Sequence, residues 1–143
     1  PKGITEIADW TFNYCRNLKS ITIPGKVKTI GYRAFGSCTL LLEVTIPSSV
    51  KTIGDVAFYG CKKLSKAVIG KNTSSIGQAA FSGCSSLGTL TIRSDKLKKV
   101  GIKAFAGIRP SAKIKVPSKK LSAYRKLLKG KGQSSKVAIT VLK

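Results

Sequence analysis

Histidine and methionine are absent from the 143 residues, tryptophan occurs once, and only five residues are acidic. Each shortage removes chemistry. Without histidine, and with the five acids scattered, no nucleophile–base pair can be assembled; Glu6 and Asp9 lie near one another in sequence but lack partners. Zinc is disfavoured for the same reason, since there is neither a C-x-x-C spacing nor a histidine. "GKGQSS" (130–135) has neither the spacing nor the preceding strand of a phosphate-binding loop. No apolar run approaches the roughly 18 residues a membrane span needs, so no transmembrane segment is expected. The opening "PKGITEIADW" carries no Met and no charged-then-apolar leader, so a secretion signal is expected to lie outside this sequence. The expectation is a protein without enzymatic activity, cofactor or metal.

What is present is positive charge and a repeat. Lysine and arginine total 27, a formal net charge of +22. Residues 1–92 hold 11 basic and four acidic side chains, whereas residues 93–143 hold 16 basic and one acidic, Asp95. A field of that size favours polyanions such as nucleic acid, anionic glycopolymer or anionic membrane, although a solvated surface is the plainer explanation. Hydrophobic residues make up 42%, enough for a folded core in one domain's length.

The repeat is strict. Every phenylalanine falls in one column, Phe12, Phe35, Phe58, Phe81 and Phe105, and every cysteine in another, Cys15, Cys38, Cys61 and Cys84. The period is 23 residues, with one extra residue in "RSDKL" before the last unit. Ile7, Ile30, Ile53, Ile76 and Val100 form a further column, followed by Gly31, Gly54, Gly77 and Gly101, with Ala8 in the first unit. Each unit ends on an alternating pair such as Ile21/Ile23 or Val44/Ile46, and Pro24, Pro47 and Pro117 close three of them. The five units run 1–23, 24–46, 47–69, 70–92 and 93–117.

One unit is too short to bury its own apolar face, so the units must stack. "SITIP" reads as a short strand with its isoleucines inward, and successive strands are expected to build a parallel sheet. The glycine suits close backbone approach, and "AFxxC" a compact helical turn. Stacking turns the phenylalanines into a spine, each worth roughly 1.5–3 kcal/mol of burial. Neighbouring cysteines would lie within disulfide range, but their side chains point in parallel, and Ile108 fills the slot in the fifth unit. Buried free thiols acting as small apolar residues are expected.

"VKTIGYRAFGSCTLLLEVTIP" (27–47) resembles the BspA-like class of leucine-rich repeats, whose units run I-G-x-x-A-F-x-x-C-x-x-L-x-x-[IV]-x-I-P. The resemblance covers residues 1–117. Ala8 and Thr11 depart from it in unit one, Gly70 and Arg93 replace the closing proline, and Ile108 replaces cysteine. It implies an α/β solenoid: a right-handed coil with a parallel sheet of short strands on one face and short 3-10 or helical turns opposite. It also implies secreted or surface proteins of bacteria (or some protists) that bind host, matrix or cell-surface proteins, without enzymatic activity.

Pro1 sits in the phase of Pro24, so either a longer array is cut here or the first coil presents an open edge. At the other end the period stops at Ser118, and residues 118–143 form a basic segment. A helix over about 118–129 is expected, with Ser118 as N-cap, Leu121, Tyr124, Leu127 and Leu128 as apolar stripe, and Gly130 as C-cap. A strand over about 136–142 should follow, alternating Val137, Ile139 and Val141. This segment should close the array; a membrane-surface role for its short stripe is the sharper alternative.

Two binding surfaces are expected on a monomer. The outward row of the sheet comprises Ser20, Thr22, Glu43, Thr45, Lys66, Val68, Thr89, Thr91, Lys113 and Lys115, a face suited to a protein partner. Strand propensity alone also accounts for its threonines. The second is a basic cluster of Lys96, Lys98, Lys99, Lys103, Arg109, Lys119, Lys120, Arg125, Lys126, Lys129 and Lys131, suited to cell-wall glycopolymer, heparin-like glycan or nucleic acid. The first supports an extracellular interaction or adhesion module, the second a polyanion-binding module.

Overall fold

From the second coil onward, each turn of the chain supplies two short strands instead of the single one expected. The computed structural model describes residues 3–142. Its strands are β1 (Glu6–Ile7), β2 (Thr29–Ile30), β3 (Glu43–Ile46), β4 (Thr52–Ile53), β5 (Lys66–Ile69), β6 (Ser75–Ile76), β7 (Thr89–Ile92), β8 (Lys99–Val100), β9 (Lys113–Val116) and β10 (Ala138–Val141). The two-residue strands form one sheet, ordered β1-β2-β4-β6-β8, and the four-residue strands form another, ordered β10-β9-β7-β5-β3. Every pairing is parallel, with partners one repeat apart, as in Ile7↔Ile30 and Thr45↔Val68. The architecture is a solenoid of two parallel sheets with one short helix near its C-terminal end.

The column chemistry explains the stack. Phe35, Phe58, Phe81 and Phe105 are fully buried and Phe12 partly so. Adjacent rings lie 5.2, 5.0, 5.2 and 6.2 Å apart along the spine, close to parallel. The widest step precedes Phe105, in the unit that carries the additional residue. Backbone ladders tie the rings together: Phe12, Phe35, Phe58 and Phe81 each donate N–H to the alanine carbonyl one coil on, at 2.7–2.8 Å. The glycine column is needed for approach. A Cβ on Gly101 would lie 2.3 Å from the Gln78 nitrogen, and one on Gly77 2.5 Å from Asp55 nitrogen. Ala8 occupies that slot in the first coil, where no described coil lies beneath it.

The cysteines do more than fill space. The thiols of Cys38, Cys61 and Cys84 each donate at 3.1 Å to the carbonyl of the phenylalanine in the preceding coil, Phe12, Phe35 and Phe58. All four cysteines are free. The expectation of free thiols holds, and for Cys38, Cys61 and Cys84 the role as small buried hydrophobes is extended to that of buried donors; Cys15 is partly exposed. The Cys61 contact and then burial push the Cys38 thiol far above the ordinary range. At Cys61 the Cys38 contact acts downward, but the Cys84 contact and burial together outweigh it.

Three local expectations are overturned. Residues 20–23 form no strand, because the ladder begun by Leu42 N–H on the Lys19 carbonyl (3.1 Å) does not continue through them. Ser118 does not cap a helix; it opens a 3-10 turn, Ser118–Lys120, after Pro117, with no side-chain cap bond. The helix proper, α1, is Leu121–Leu128, with Gly130 at a positive φ of 73° just beyond its end. The last strand is shorter than expected, Ala138–Val141, and Val141 is exposed at the edge of its sheet.

The cap imitates a coil. Phe105 N–H, which elsewhere in its column would find the next alanine, donates instead to the Lys131 carbonyl at 2.9 Å. β10 pairs in register with β9, Ile139 opposite Ile114. Tyr124 and Leu128 of α1 are buried, and α1 packs against β8 and β10. The additional residue of "RSDKL" makes a receiving loop: Ser94 and Leu97 hold the Tyr124 hydroxyl, and Asp95 pairs with Lys119 at 2.8 Å.

Candidate functional site

Register decides what the outer sheet face can present. It aligns two rows, Glu43–Lys66–Thr89–Lys113 and Thr45–Val68–Thr91–Lys115, with Thr140 of β10 extending the second. Glu43, Thr45, Lys66 and Lys113 are exposed, while Val68, Thr89 and Lys115 are half-buried. Thr91 is buried at 9% exposure, so it does not belong to the solvated row expected of it. It sits mid-sheet, flanked in register by Val68 and Lys115. Ser20 and Thr22 are exposed but lie off the ladder, across a shallow depression from Glu43 and Thr45.

The basic residues are dispersed among several depressions. Lys96 and Lys98 line one with Lys51, Asn72 and Asp95. The Lys96 ammonium donates to Asn72 Oδ1 at 2.7 Å. Arg125 and Lys129 line another beside Gln133 and β10. Arg125 donates to the Ile139 carbonyl at 3.4 Å. Lys113 and Lys115 share a third with Arg93 and Thr140 on the sheet face. Lys119 is held by Asp95, the one ion pair among the described residues, which lowers the Asp95 carboxyl and raises the Lys119 ammonium. Lys99, Lys103, Arg109 and Lys126 are exposed, with Lys120 and Lys131 half-buried.

A third surface escaped the sequence reading. Trp10 and Tyr14 are each 54% exposed, and Tyr32 and Tyr59 each 41%. Trp10 and Tyr32 meet edge to face at 5.3 Å. The Arg33 guanidinium lies 5.4 Å from the Trp10 ring, 5.6 Å from Tyr59 and 6.0 Å from Tyr14, and Arg16 lies 5.4 Å from Tyr14. These contacts link three coils.

The backbone of this surface is unusual. Two residues before each phenylalanine, Trp10, Arg33, Val56, Ala79 and Lys103 all have positive φ, and two residues after, so do Tyr14, Ser37, Gly60, Gly83 and Gly107. Left-handed backbone costs a side-chain-bearing residue about 1–2 kcal/mol. The later coils meet that geometry with glycine at the second position; the first coil places a tyrosine there. The signal was available in the sequence as a Gly column at 60, 83 and 107, but Tyr14 and Ser37 break it in the first two units.

Among the described residues no group of acidic or cysteine side chains is arranged to hold a metal, and no helix is long and apolar enough to cross a membrane. No curated protein matches the chain. Among solved structures, a leucine-rich repeat protein of T. pallidum aligns over 98% of this chain and 71% of its own, with 26% identity and a TM-score of 0.75. The pneumococcal vaccine antigen PcpA aligns over all of this chain but 40% of its own, with 27% identity and a TM-score of 0.72. A leucine-rich repeat protein of Bacteroides ovatus shares the fold, at 22% identity, a TM-score of 0.62 and 44% of its own length. The chain thus spans less than half of the last two. Repeats of this type are typical of bacterial surface proteins and of protein-interaction modules. Six copies of the BspA type leucine-rich repeat region match residues 5–131, and the chain belongs to that family.

Proposed function

We propose that the chain is a non-catalytic protein-interaction and adhesion module of a secreted or surface-exposed bacterial protein, acting as a monomer built of five units over 1–117 and a basic cap over 118–143. It presents the outer face of the four-residue strands to a host, matrix or cell-surface protein. The observation that carries this reading is the register of that face, which lines Glu43, Lys66, Thr89 and Lys113 beside Thr45, Val68 and Lys115 on one continuous sheet, with Thr91 buried between the last two. Extended solenoid faces of this kind suit large partners more than small molecules. A pull-down from extracellular-matrix material at low and physiological salt tests it: a partner held through desolvated contacts is retained at both. A reproducible turnover that survives repurification overturns the non-catalytic assignment.

The polyanion reading keeps a specific support: among the described residues a single ion pair, Lys119–Asp95, engages the basic side chains. Binding of heparin or nucleic acid through the cap would weaken steeply over the same salt range. Retention of heparin alone, lost at physiological salt, would favour this second reading over the first.

A further inference from the structure

We propose that Trp10, Tyr14, Tyr32, Arg33 and Tyr59 form a second docking surface, for an acidic segment of a partner protein. The surface is built of residues different from the strand face and stands independently of the function proposed there. Three observations converge on it.

The first is the geometry of Arg33. Its guanidinium is bracketed by Trp10 and Tyr14 of the coil before it and Tyr59 of the coil after, at 5.4–6.0 Å. Gly36 makes the room: a Cβ there would come within 3.4 Å of Arg33 Nε and 2.5 Å of Asn13 Oδ1. The Nε–H donates to Asn13 Oδ1 at 3.4 Å, which orients the planar group. Its terminal amino groups have no acceptor among the described residues, and no carboxylate pairs with it. Asp9, next to Trp10, already accepts the Tyr32 N–H at 2.8 Å. A planar guanidinium clamped by rings is a prepared two-point site for a carboxylate.

The second is exposure. Four large aromatic side chains stand roughly half in water and add little to the core. Tryptophan, tyrosine and arginine are the side chains that dominate protein-interface energetics.

The third is conformation. Trp10 (φ 66°), Tyr14 (φ 62°) and Arg33 (φ 49°) occupy left-handed backbone, as the equivalent residues of every coil do. At the Tyr14 position the third to fifth coils use Gly60, Gly83 and Gly107, which carry no side chain there. The first coil instead holds a tyrosine at a cost, and beyond its contacts with Arg16 and Arg33 the ring is left half in water for a partner.

Charge favours an acidic partner through Arg33 and Arg16, the cations seated on the rings, while Asp9 is already committed to the Tyr32 N–H. The ring-rich makeup favours a protein segment over a sulfated glycan, which would prefer the lysine-rich cap. The carboxylate takes the Arg33 fork while apolar side chains lie on Trp10 and Tyr59.

The test is selection of a random-peptide display library on the intact chain at physiological salt. An enriched peptide is then synthesised and its affinity measured against the parent, Arg33→Lys, Tyr14→Gly and, as a charge-loss control on another turn, Lys71→Ala. Enrichment of Asp- or Glu-bearing peptides is expected, with affinity reduced about tenfold or more in Arg33→Lys, because lysine keeps the charge but not the fork. Tyr14→Gly should weaken binding while raising the thermal midpoint, a pairing that a structural role cannot produce. Lys71→Ala should leave the affinity unchanged. Four outcomes overturn the proposal: no enrichment, affinity unchanged in Arg33→Lys, a Tyr14→Gly variant of lowered thermal midpoint, or heparin or single-stranded DNA binding that is lost in Arg33→Lys while peptides fail to bind.

Discussion

The Tyr124 hydroxyl donates to the Ser94 carbonyl at 2.7 Å and accepts the Leu97 N–H at 3.1 Å. One phenol thereby fastens the C-terminal helix to the loop that carries the additional residue of the fifth unit. The chain of bonds continues inward. Ser94 Oγ donates to the Thr73 carbonyl at 2.6 Å, and Thr73 Oγ1 to the Val50 carbonyl at 2.9 Å, both side chains being fully buried. Tyr124→Phe keeps the ring but leaves a buried N–H and C=O without that partner, and is expected to cost about 1–3 kcal/mol, measured by urea unfolding.

The same phenol makes a pH prediction. Burial raises its pKa above the ordinary 10.0, outweighing the bond from Leu97 N–H, which lowers it. A folded value above the unfolded one means the contribution is fully present below about pH 10 and is lost as pH rises through the folded value. Unfolding midpoints measured across alkaline pH should fall more steeply for the parent than for Tyr124→Phe. Equal slopes in the two proteins would count against it.

The phenylalanine column should behave as one body. Phe58 lies between Phe35 and Phe81 at 5.0 and 5.2 Å, fully buried. Phe58→Ala is expected to cost about 3–5 kcal/mol by chemical denaturation. A loss below about 1 kcal/mol would contradict a continuous column.

Thiol accessibility should follow position in the stack. Cys38, Cys61 and Cys84 are fully buried with their thiols engaged, whereas Cys15 is partly exposed. In the native protein a thiol-titrating reagent should modify Cys15 first, with all four groups released on denaturation under non-reducing conditions. Fewer than four free groups would mean a disulfide.

Left-handed backbone predicts a stabilising substitution. Lys103 is exposed at a φ of 58°. Lys103→Gly should raise stability by about 0.5–1 kcal/mol, the relief of strain exceeding the entropy glycine adds to the unfolded chain. Thermal unfolding of the pair decides the sign.

The periodic columns were enough to establish a stack, because each coil touches the coils one repeat before and after, and equivalent positions meet, as Ile30, Ile53 and Ile76 do. Phe, Cys, Gly and Ile could therefore be assigned to shared slots from spacing alone. The basic C-terminal segment was legible as a helix and a strand, though not its bounds or its missing Ser118 cap, since ends depend on which backbone groups find partners. The second sheet was hidden by its length; two residues such as Thr29–Ile30 leave no alternating pattern to read.

Tertiary structure alone decided the rest. The burial of Thr91 follows from its central place in the sheet, and the thiol bonds from where the Phe carbonyls point after stacking. The aromatic cluster required it most. Trp10 and Arg33 share a column two residues before the phenylalanine, but Tyr59 and Tyr14 belong to others, and only the coil-to-coil offset brings all these side chains together. A repeat in sequence specifies which residues superpose; contacts between unlike columns come from the pitch and curvature of the stack, which no single unit contains.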